Sequence, residues 1–535
     1  MTTDQTSAEA PEASSGGRDP KWWTLVAVCT GIFMLLLDVT IVNVALPDIQ
    51  SELDASLSDL QWVIDAYALS LAALLLTAGS LADLYGRRRV FAIGLVVFTV
   101  GSTACGAAQS VFQLTMARAF QGIGGAAMFA TGLALLATAF RGKDRGTAFG
   151  VFGATTGIAV AIGPVLGGVL TSGLSWRWIF FVNIPICLVA IGVTSAKVAE
   201  SKDPRAGRPD WVGFVTFSLA LGALVVGLIE AGQRSWGDTQ VVVLFVVAAV
   251  LLAVFVVSQA RQRHPMFDLS LLRKPTFDAG LVAAFGISAS IFSLLAYLVI
   301  YVQNVLGYSA VGAGVRFLFL SVASFFTAAL AGRLTERVPV RWLIGPGFLL
   351  LGVGLLLLLG IREDSSWTHL IPGLTVCGLA IGLINPPLAS TAVGVVTVER
   401  SGMASGVNST FRQVGVATGI AALGSIFSHQ VADGAQASLQ GKVPPAALDG
   451  LTAALSGGQV RAAAEGARSA AAAQGGPSVG QQAHDLVQSV GTTAVVGALN
   501  HIILISAVIA FVCGVVSLVF IRQQDFVHRG GPQES

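Results

Sequence analysis

Charge is scarce in this chain. Asp, Glu, Lys and Arg make up 11% of its 535 residues, whereas 54% are hydrophobic. A soluble globular protein carries about 25% charged residues. Water cannot solvate this much apolar surface (mean hydropathy +0.77), which excludes an ordinary soluble fold. Cysteine is nearly absent. The five present, Cys29, Cys105, Cys187, Cys377 and Cys513, lie in apolar runs with no C-x-x-C spacing. They read as small buried hydrophobes, not as disulfides or metal ligands. No His/Cys cluster suits a metal, and no cofactor is expected. Gly-Lys occurs only at 142–143 and 441–442, outside any G-x-x-x-x-G-K-[ST] setting, so Walker-type ATP hydrolysis is excluded. No nucleophile–base constellation stands out, and an enzyme is not expected.

Long apolar runs are abundant. A window of roughly 20 residues, the length that crosses a bilayer, finds fourteen: 22–46, 60–82, 90–108, 112–139, 146–171, 178–198, 211–230, 240–260, 277–303, 311–332, 342–361, 370–396, 403–428 and 497–521. An all-α polytopic membrane protein follows. With the N-terminus inside, 22 of the 31 Lys and Arg fall in inner segments and 6 in outer ones. This asymmetry predicts both termini in the cytoplasm. Residues 1–21 read as a disordered cytoplasmic tail without a cleavable signal. A six-helix bundle spans 22–199, a basic linker 200–209, an inserted helix pair 210–260, and a second linker 261–276. A second six-helix bundle spans 277–521, and a short tail 522–535. Residues 429–496, rich in Ala, Gln, Gly and Ser, predict an outer hairpin or flexible cap.

The two bundles share a repeat. AGSLADLYGRRR (78–89) parallels AGRLTERVPVR (331–341): Gly79 matches Gly332, Leu81 matches Leu334, and Asp83 matches Glu336. Both follow the second helix of a six-helix block. Duplicated halves imply a pseudo-symmetric transporter rocking around a midplane site.

Asp38 lies inside WWTLVAVCTGIFMLLLDVTIVNVALP. A carboxylate at that depth costs about 2.5–3.5 kcal/mol or more if exposed to lipid. It therefore reads as part of an ion or proton pathway, the alternative being a structural acid. At 1.5 Å per residue, Asp65 of the second span and Arg118 of the fourth fall at about the same depth. Two acids and a guanidinium there suit a titrating site, or a static ion pair between the first and fourth helices. Asp83 and Arg87 end the second helix, where Asp83 could meet the positive N-terminus of the thirteenth near Ser401 and Gly402. The alternative is an ordinary turn, with Gly86 supplying backbone freedom and three arginines anchoring the membrane face. Arg412, near mid-membrane, needs carbonyls, Asn408 or a substrate as partner, and a structural role is favoured. Asn385-Pro386-Pro387 should break the twelfth helix locally. Asn408-Ser409-Thr410 fits a glycosylation pattern, but inside a helix the match is coincidental.

These segments resemble the fourteen-helix drug:proton antiporters of the major facilitator superfamily. GSLADLYGRRR resembles the signature loop between the second and third helices, and LTMARAFQGIGGA (114–126) the fourth-helix motif. GIAVAIGPVLGG (157–168) resembles the fifth-helix antiporter motif, with Ala159 where glycine is common. LDVTIVNVALP, WRWIFFVNIP (176–185) and GVNSTFRQVG (406–415) resemble further motifs of that family. The likeness covers roughly 22–521. It implies a major facilitator fold of two pseudo-symmetric bundles plus two inserted helices, fourteen spans in all. Proton coupling is implied at Asp38 and Arg118, with Asp65 beside them. A conformational switch is implied at Gly79, Asp83, Gly86, Arg87 and Glu336, and an antiporter motif at Gly157, Gly163, Pro164, Gly167 and Gly168. Some relatives carry acids on the tenth or thirteenth helix. Here Arg316 and Arg412 stand there, which leaves room for neutral, zwitterionic or anionic substrates.

The reading is a bacterial cytoplasmic-membrane antiporter, working as a monomer, that exports amphipathic drugs or antibiotics as protons enter. Phe33, Asn43, Trp62, Tyr67, Gln121, Phe292, Tyr297, Asn408, Phe411 and Arg412 are candidates for lining its cavity. The alternative is a proton-coupled importer or facilitator of a small nutrient. A membrane enzyme or receptor on the same fold would need a catalytic cluster or an added domain, and neither is evident.

Overall fold

The computed structural model describes residues 20–55, 57–140, 143–202, 210–262, 265–335 and 337–527. Glu336, nearly all of the 1–21 tail, most of the 200–209 linker and the end of the C-terminal tail lie outside these residues. So do the side chains of Asn43 and Pro164.

All the regular structure of the described residues is helical, without a strand. Such a chain has no other means of pairing its N–H and C=O groups in lipid short of a closed barrel. The first half is α1 (Pro20–Leu53), α2 (Leu57–Tyr85), α3 (Arg87–Gly106), α4 (Val111–Ala139), α5 (Lys143–Gly173) and α6 (Asn183–Lys197). Two helices follow, α7 (Trp211–Gln233) and α8 (Thr239–Arg261). The second half begins with α9 (Pro275–Val305), α10 (Ala310–Leu334), α11 (Arg341–Leu357), α12 (Leu370–Gly394) and α13 (Ser401–Leu439). Then come α14 (Pro445–Ser456), α15 (Val460–Gly475) and α16 (Pro477–Phe520). Twelve of the described helices are long and apolar enough to cross a membrane, and α11 is apolar but shorter.

Burial separates their places. In α4, 72% of the apolar window is buried, against 17% in α8. The helix carrying Arg118 is thus interior, and α8 presents valines to the surroundings.

The halves pack as images of each other. In the first, α4 lies against α2 and α3; in the second, α12 lies against α10 and α11. The halves meet along two seams, α5 on α10 and α13 on α2. Glycine makes both possible. A Cβ on Gly79 of α2 would stand 2.3 Å from the Gly402 carbonyl oxygen of α13, and a Cβ on Gly332 of α10 2.3 Å from that of Gly146 of α5. The sequence repeat of Gly79 and Gly332 is therefore a repeat of close approach. Gly332→Ala is expected to push α5 and α10 apart and cost about 1–3 kcal/mol. Gly79→Ala should cost a similar amount at the other seam, and thermal unfolding of both variants checks whether the seams are equivalent.

The inserted pair breaks the two-fold. α7 packs on α2 and α13 alike. Ala72 of α2, Leu221 and Val225 of α7, and Val414 and Ala417 of α13 form one apolar cluster. The Thr77 and Ser218 hydroxyls pair at 3.2 Å.

Three local features add to or differ from expectation. The 429–496 segment is helical: α13 runs on to Leu439, α16 starts at Pro477, and α14 and α15 fill the gap. Leu455, Val460 and Ala464 are buried there, and Asn304 at the end of α9 donates to the Gly458 carbonyl at 3.0 Å. Burial of one apolar face fixes what composition alone left as a hairpin or cap. Second, α12 is not broken at Asn385-Pro386-Pro387; it continues through both prolines. Each proline forfeits one N–H, but Pro386 wedges against Gly153 of α5, 3.0 Å from where a Cβ would sit. Third, α9 contains π-turns at Ser288–Phe292 and Tyr301–Val305. Ser293 in α9 donates its hydroxyl to Ser288, five residues back, at 2.9 Å.

Candidate functional site

Asp38 of α1 and Arg118 of α4 are both buried, at 0% and 1% exposure. Arg118 Nη1 donates to Asp38 Oδ2 at 2.5 Å. Gln121, one turn along α4 on the same face, accepts from Arg118 Nη1 at 2.8 Å. It donates Nε2 to Asp38 Oδ1 at 2.9 Å. Asn183, the first residue of α6, donates Nδ2 to the same Oδ1 at 3.3 Å and to Ser102 Oγ at 2.9 Å. Ser102 donates onward to the Phe180 carbonyl at 2.9 Å. Arg118 Nε reaches the Val63 carbonyl of α2 at 3.2 Å, and the guanidinium lies over the Tyr67 ring at 4.2 Å.

One carboxylate therefore ties together α1, α4 and α6, and its arginine ties in α2. The Tyr67 hydroxyl and Asn183 Oδ1 are buried without a partner. Buried polar atoms are normally bonded, so two unpartnered ones beside an ion pair set this place apart.

Asp65 is half-buried and forms no bond to Asp38 or Arg118 among the hydrogen bonds described. Its electrostatic neighbour is Glu230 of α7, itself paired with Arg234 at 2.6 Å. Gln121, expected in the cavity, belongs to the Asp38 network. Asn183 and Ser102 were not anticipated, although Asn183 stands inside the quoted segment WRWIFFVNIP. A single uncharged amide in an apolar helix gives no periodic signal.

At the Arg87 end of α2, Asp83 accepts from the Gly402 N–H at 2.9 Å and the Met403 N–H at 2.8 Å. These are orphan donors of the first turn of α13. Arg87 donates to Asp83 Oδ1 through Nη2 at 2.6 Å and Nε at 2.9 Å, and to the Glu399 carbonyl at 2.7 Å. Gly86 has φ +111°, and the Glu200 carboxylate accepts from the Arg88 and Arg89 N–H groups just after it. Of the two readings the sequence left for Asp83, a contact with the start of α13 or an ordinary turn, the side chain takes the position of the first.

The fifth-helix glycines seat α5 between the halves. A Cβ on Gly163 would collide with the Thr40 side chain of α1, two residues past Asp38, and one on Gly168 with Val311 of α10. Gly157 lies near Ser321 and Ser324 of α10, and Gly167 is buried.

The cavity candidates scatter. Phe33 and Phe292 are half-buried, and Trp62 and Phe411 are exposed. Tyr297 lies in the second-half core, donating to the Ile420 carbonyl at 2.7 Å and packing on Phe427. Of the partners expected for Arg412 (carbonyls, a polar neighbour such as Asn408, or a substrate), it meets a polar neighbour, donating Nη2 to Asn385 Oδ1 of α12 at 2.9 Å. Arg316 stays on its own helix, donating to the Gly312 carbonyl at 2.8 Å beneath the Tyr308 ring. Among the described residues no cluster of His, Cys, Asp and Glu could hold a metal.

Comparison with known proteins agrees with this architecture. Residues 28–420 match the family model of the Major Facilitator Superfamily. The multidrug resistance protein Stp of Mycobacterium tuberculosis is 39% identical over 422 residues, covering 79% of this chain and 78% of that protein. The puromycin resistance protein pur8 of Streptomyces alboniger is 35% identical over 444 residues, covering 82% and 88%. Among solved structures, a human organic anion transporter shares the fold with a TM-score of 0.58 and 16% identity, covering 77% of this chain and 94% of that one. A multi-pass membrane chain with paired half-bundles, matched over most of its length by one family model, is a member of that family: the chain belongs to the major facilitator superfamily.

Proposed function

We propose that this protein is a proton-coupled antiporter that exports amphipathic drugs or antibiotics by alternating access. The observation that carries the reading is the buried Asp38–Arg118 pair, shared by four helices of one half. Relatives named for resistance to puromycin and to multiple drugs support the direction of transport. α5 and α11 complete a count of fourteen spans, and the Lys and Arg distribution favours both termini in the cytoplasm. The Asp83–α13 contact then lies at the cytoplasmic end and seals the inner mouth.

Breaking a buried ion pair costs about 3–5 kcal/mol. A proton on Asp38 removes the charge that Arg118 faces, so protonation and helix rearrangement are coupled through the same network. Loading from outside and release to the inside drive the cycle. One copy contains the whole network, so a monomer suffices.

The test is expression in a bacterial host stripped of its own efflux pumps. Inhibitory concentrations of several chemically unrelated amphipathic drugs are expected to rise at least about fourfold. A protonophore should abolish the accompanying dye efflux. Unchanged susceptibility across the panel, or efflux that survives collapse of the proton gradient, would refute the reading.

A further inference from the structure

α13 has three working faces. Gly402 and Gly406 lie against α2, a Cβ on Gly406 standing 2.8 Å from the Leu75 carbonyl oxygen. Met403, Ala404 and Val407 pack into an apolar cluster with Phe255 and Phe277. Ser405, Asn408 and Arg412, three and four residues apart, form the third face.

That face is polar and largely unsatisfied. Asn408 is 2% exposed, yet neither its Nδ2 nor its Oδ1 has a partner. The Ser405 hydroxyl is buried and unpartnered as well. Buried amides are normally bonded, so both ends of Asn408 fit a partner from outside the protein. One turn on, Arg412 is held by Asn385 of α12. No carboxylate of the described residues pairs with it. A guanidinium presents five planar N–H donors matched to oxyanions, and the neutral Asn385 engages one of them without balancing the charge.

We propose that Arg412, Asn385 and Asn408 form a receiving site for the oxyanion of the exported molecule, a carboxylate or ionised phenol on an amphipathic scaffold. The site rests on the export reading and gives it a substrate class. Arg412 takes the negative oxygen and Asn385 holds the guanidinium in place. The Asn408 amide donates to a second oxygen of the ligand and accepts from a hydroxyl. The three residues come from α12 and α13, and α13 also lines the seam with α2. Binding supplies the counter-charge that the second half lacks, as Asp38 supplies it to Arg118 in the first.

The experiment measures binding and transport separately, with a carboxy-rhodamine and its methyl ester. These probes share a ring system and differ in the acid. Binding to the purified full-length protein in detergent is read by fluorescence anisotropy, and transport is read in proteoliposomes under an imposed pH gradient. The wild type is expected to bind the acid about tenfold tighter than the ester. Arg412→Gln should erase that preference, and Arg412→Lys should keep part of it. Asn408→Leu leaves the charge in place and covers the case in which the Arg412 variants fail to fold. It should weaken acid binding several-fold and leave ester binding unchanged. Equal or tighter ester binding by the wild type overturns the inference while leaving drug export standing. So does an acid preference that survives in Arg412→Gln, or in Asn408→Leu where the Arg412 variants do not fold. An acid preference lost in the variants, with no gain in resistance across the drug panel from the wild type, sustains the site and overturns the export reading instead.

Discussion

Replacing Asp38 by Asn is expected to abolish uphill, pH-gradient-driven export while the protein still inserts in the membrane. The amide is nearly the same shape and retains an oxygen for the Gln121 and Asn183 donors that now meet Oδ1. It cannot carry a charge or bind and release a proton. Arg118 is left buried without its counter-ion, a loss of about 3–5 kcal/mol, so some thermal stability goes with the coupling. Downhill exchange of substrate, which needs no proton, should persist at a reduced rate. Proteoliposome assays separate the two: uphill accumulation falls to the leak level in Asp38→Asn, and Asp38→Glu recovers part of it. Uphill transport by Asp38→Asn at the wild-type rate would remove Asp38 from the coupling mechanism and leave a structural ion pair.

The second large effect is expected from Asp83→Asn. Asp83 accepts two backbone N–H groups from the start of α13 and two from Arg87. Bonds to a charged group contribute about 1.5–3 kcal/mol each, and the neutral amide keeps only part of this. A loss of about 3 kcal/mol shifts the balance between joined and separated seams on the order of a hundredfold. Spin labels on the Asp83 end of α2 and the first turn of α13 should report a longer, broader distance distribution. Arg87→Gln should act in the same direction. The double variant should cost less than the sum, because Arg87 and Asp83 share one network. An unchanged distribution in Asp83→Asn would show that glycine packing alone holds the seam.

The sequence made some of this legible and hid the rest for physical reasons. Asp38, Arg118 and Asp83 stand out because a charge in an apolar run is costly and needs a partner, and each has one. The Gly79 and Gly332 repeat was readable because close helix approach demands the smallest residue. Gln121, Ser102 and Asn183 were hard to place because neutral polar groups pay less and carry no charge signal. Depth along a helix brought Asp65 level with Asp38 but could not give its direction around the axis. The π-turns of α9 were invisible because one extra residue per turn leaves composition and length unchanged. The prolines of α12 misled because local propensity was outweighed by packing against Gly153.

The inserted helices make the two sides of this transporter unlike. α7, from outside the two half-bundles, packs on both α2 and α13; at the other seam the helix that packs on both α5 and α10 is α12, itself part of the second half. Any relative motion of α2 and α13 would have to carry α7 along or part it from one of them. The added clasp of an inserted helix is one-sided in a molecule whose two halves otherwise repeat each other.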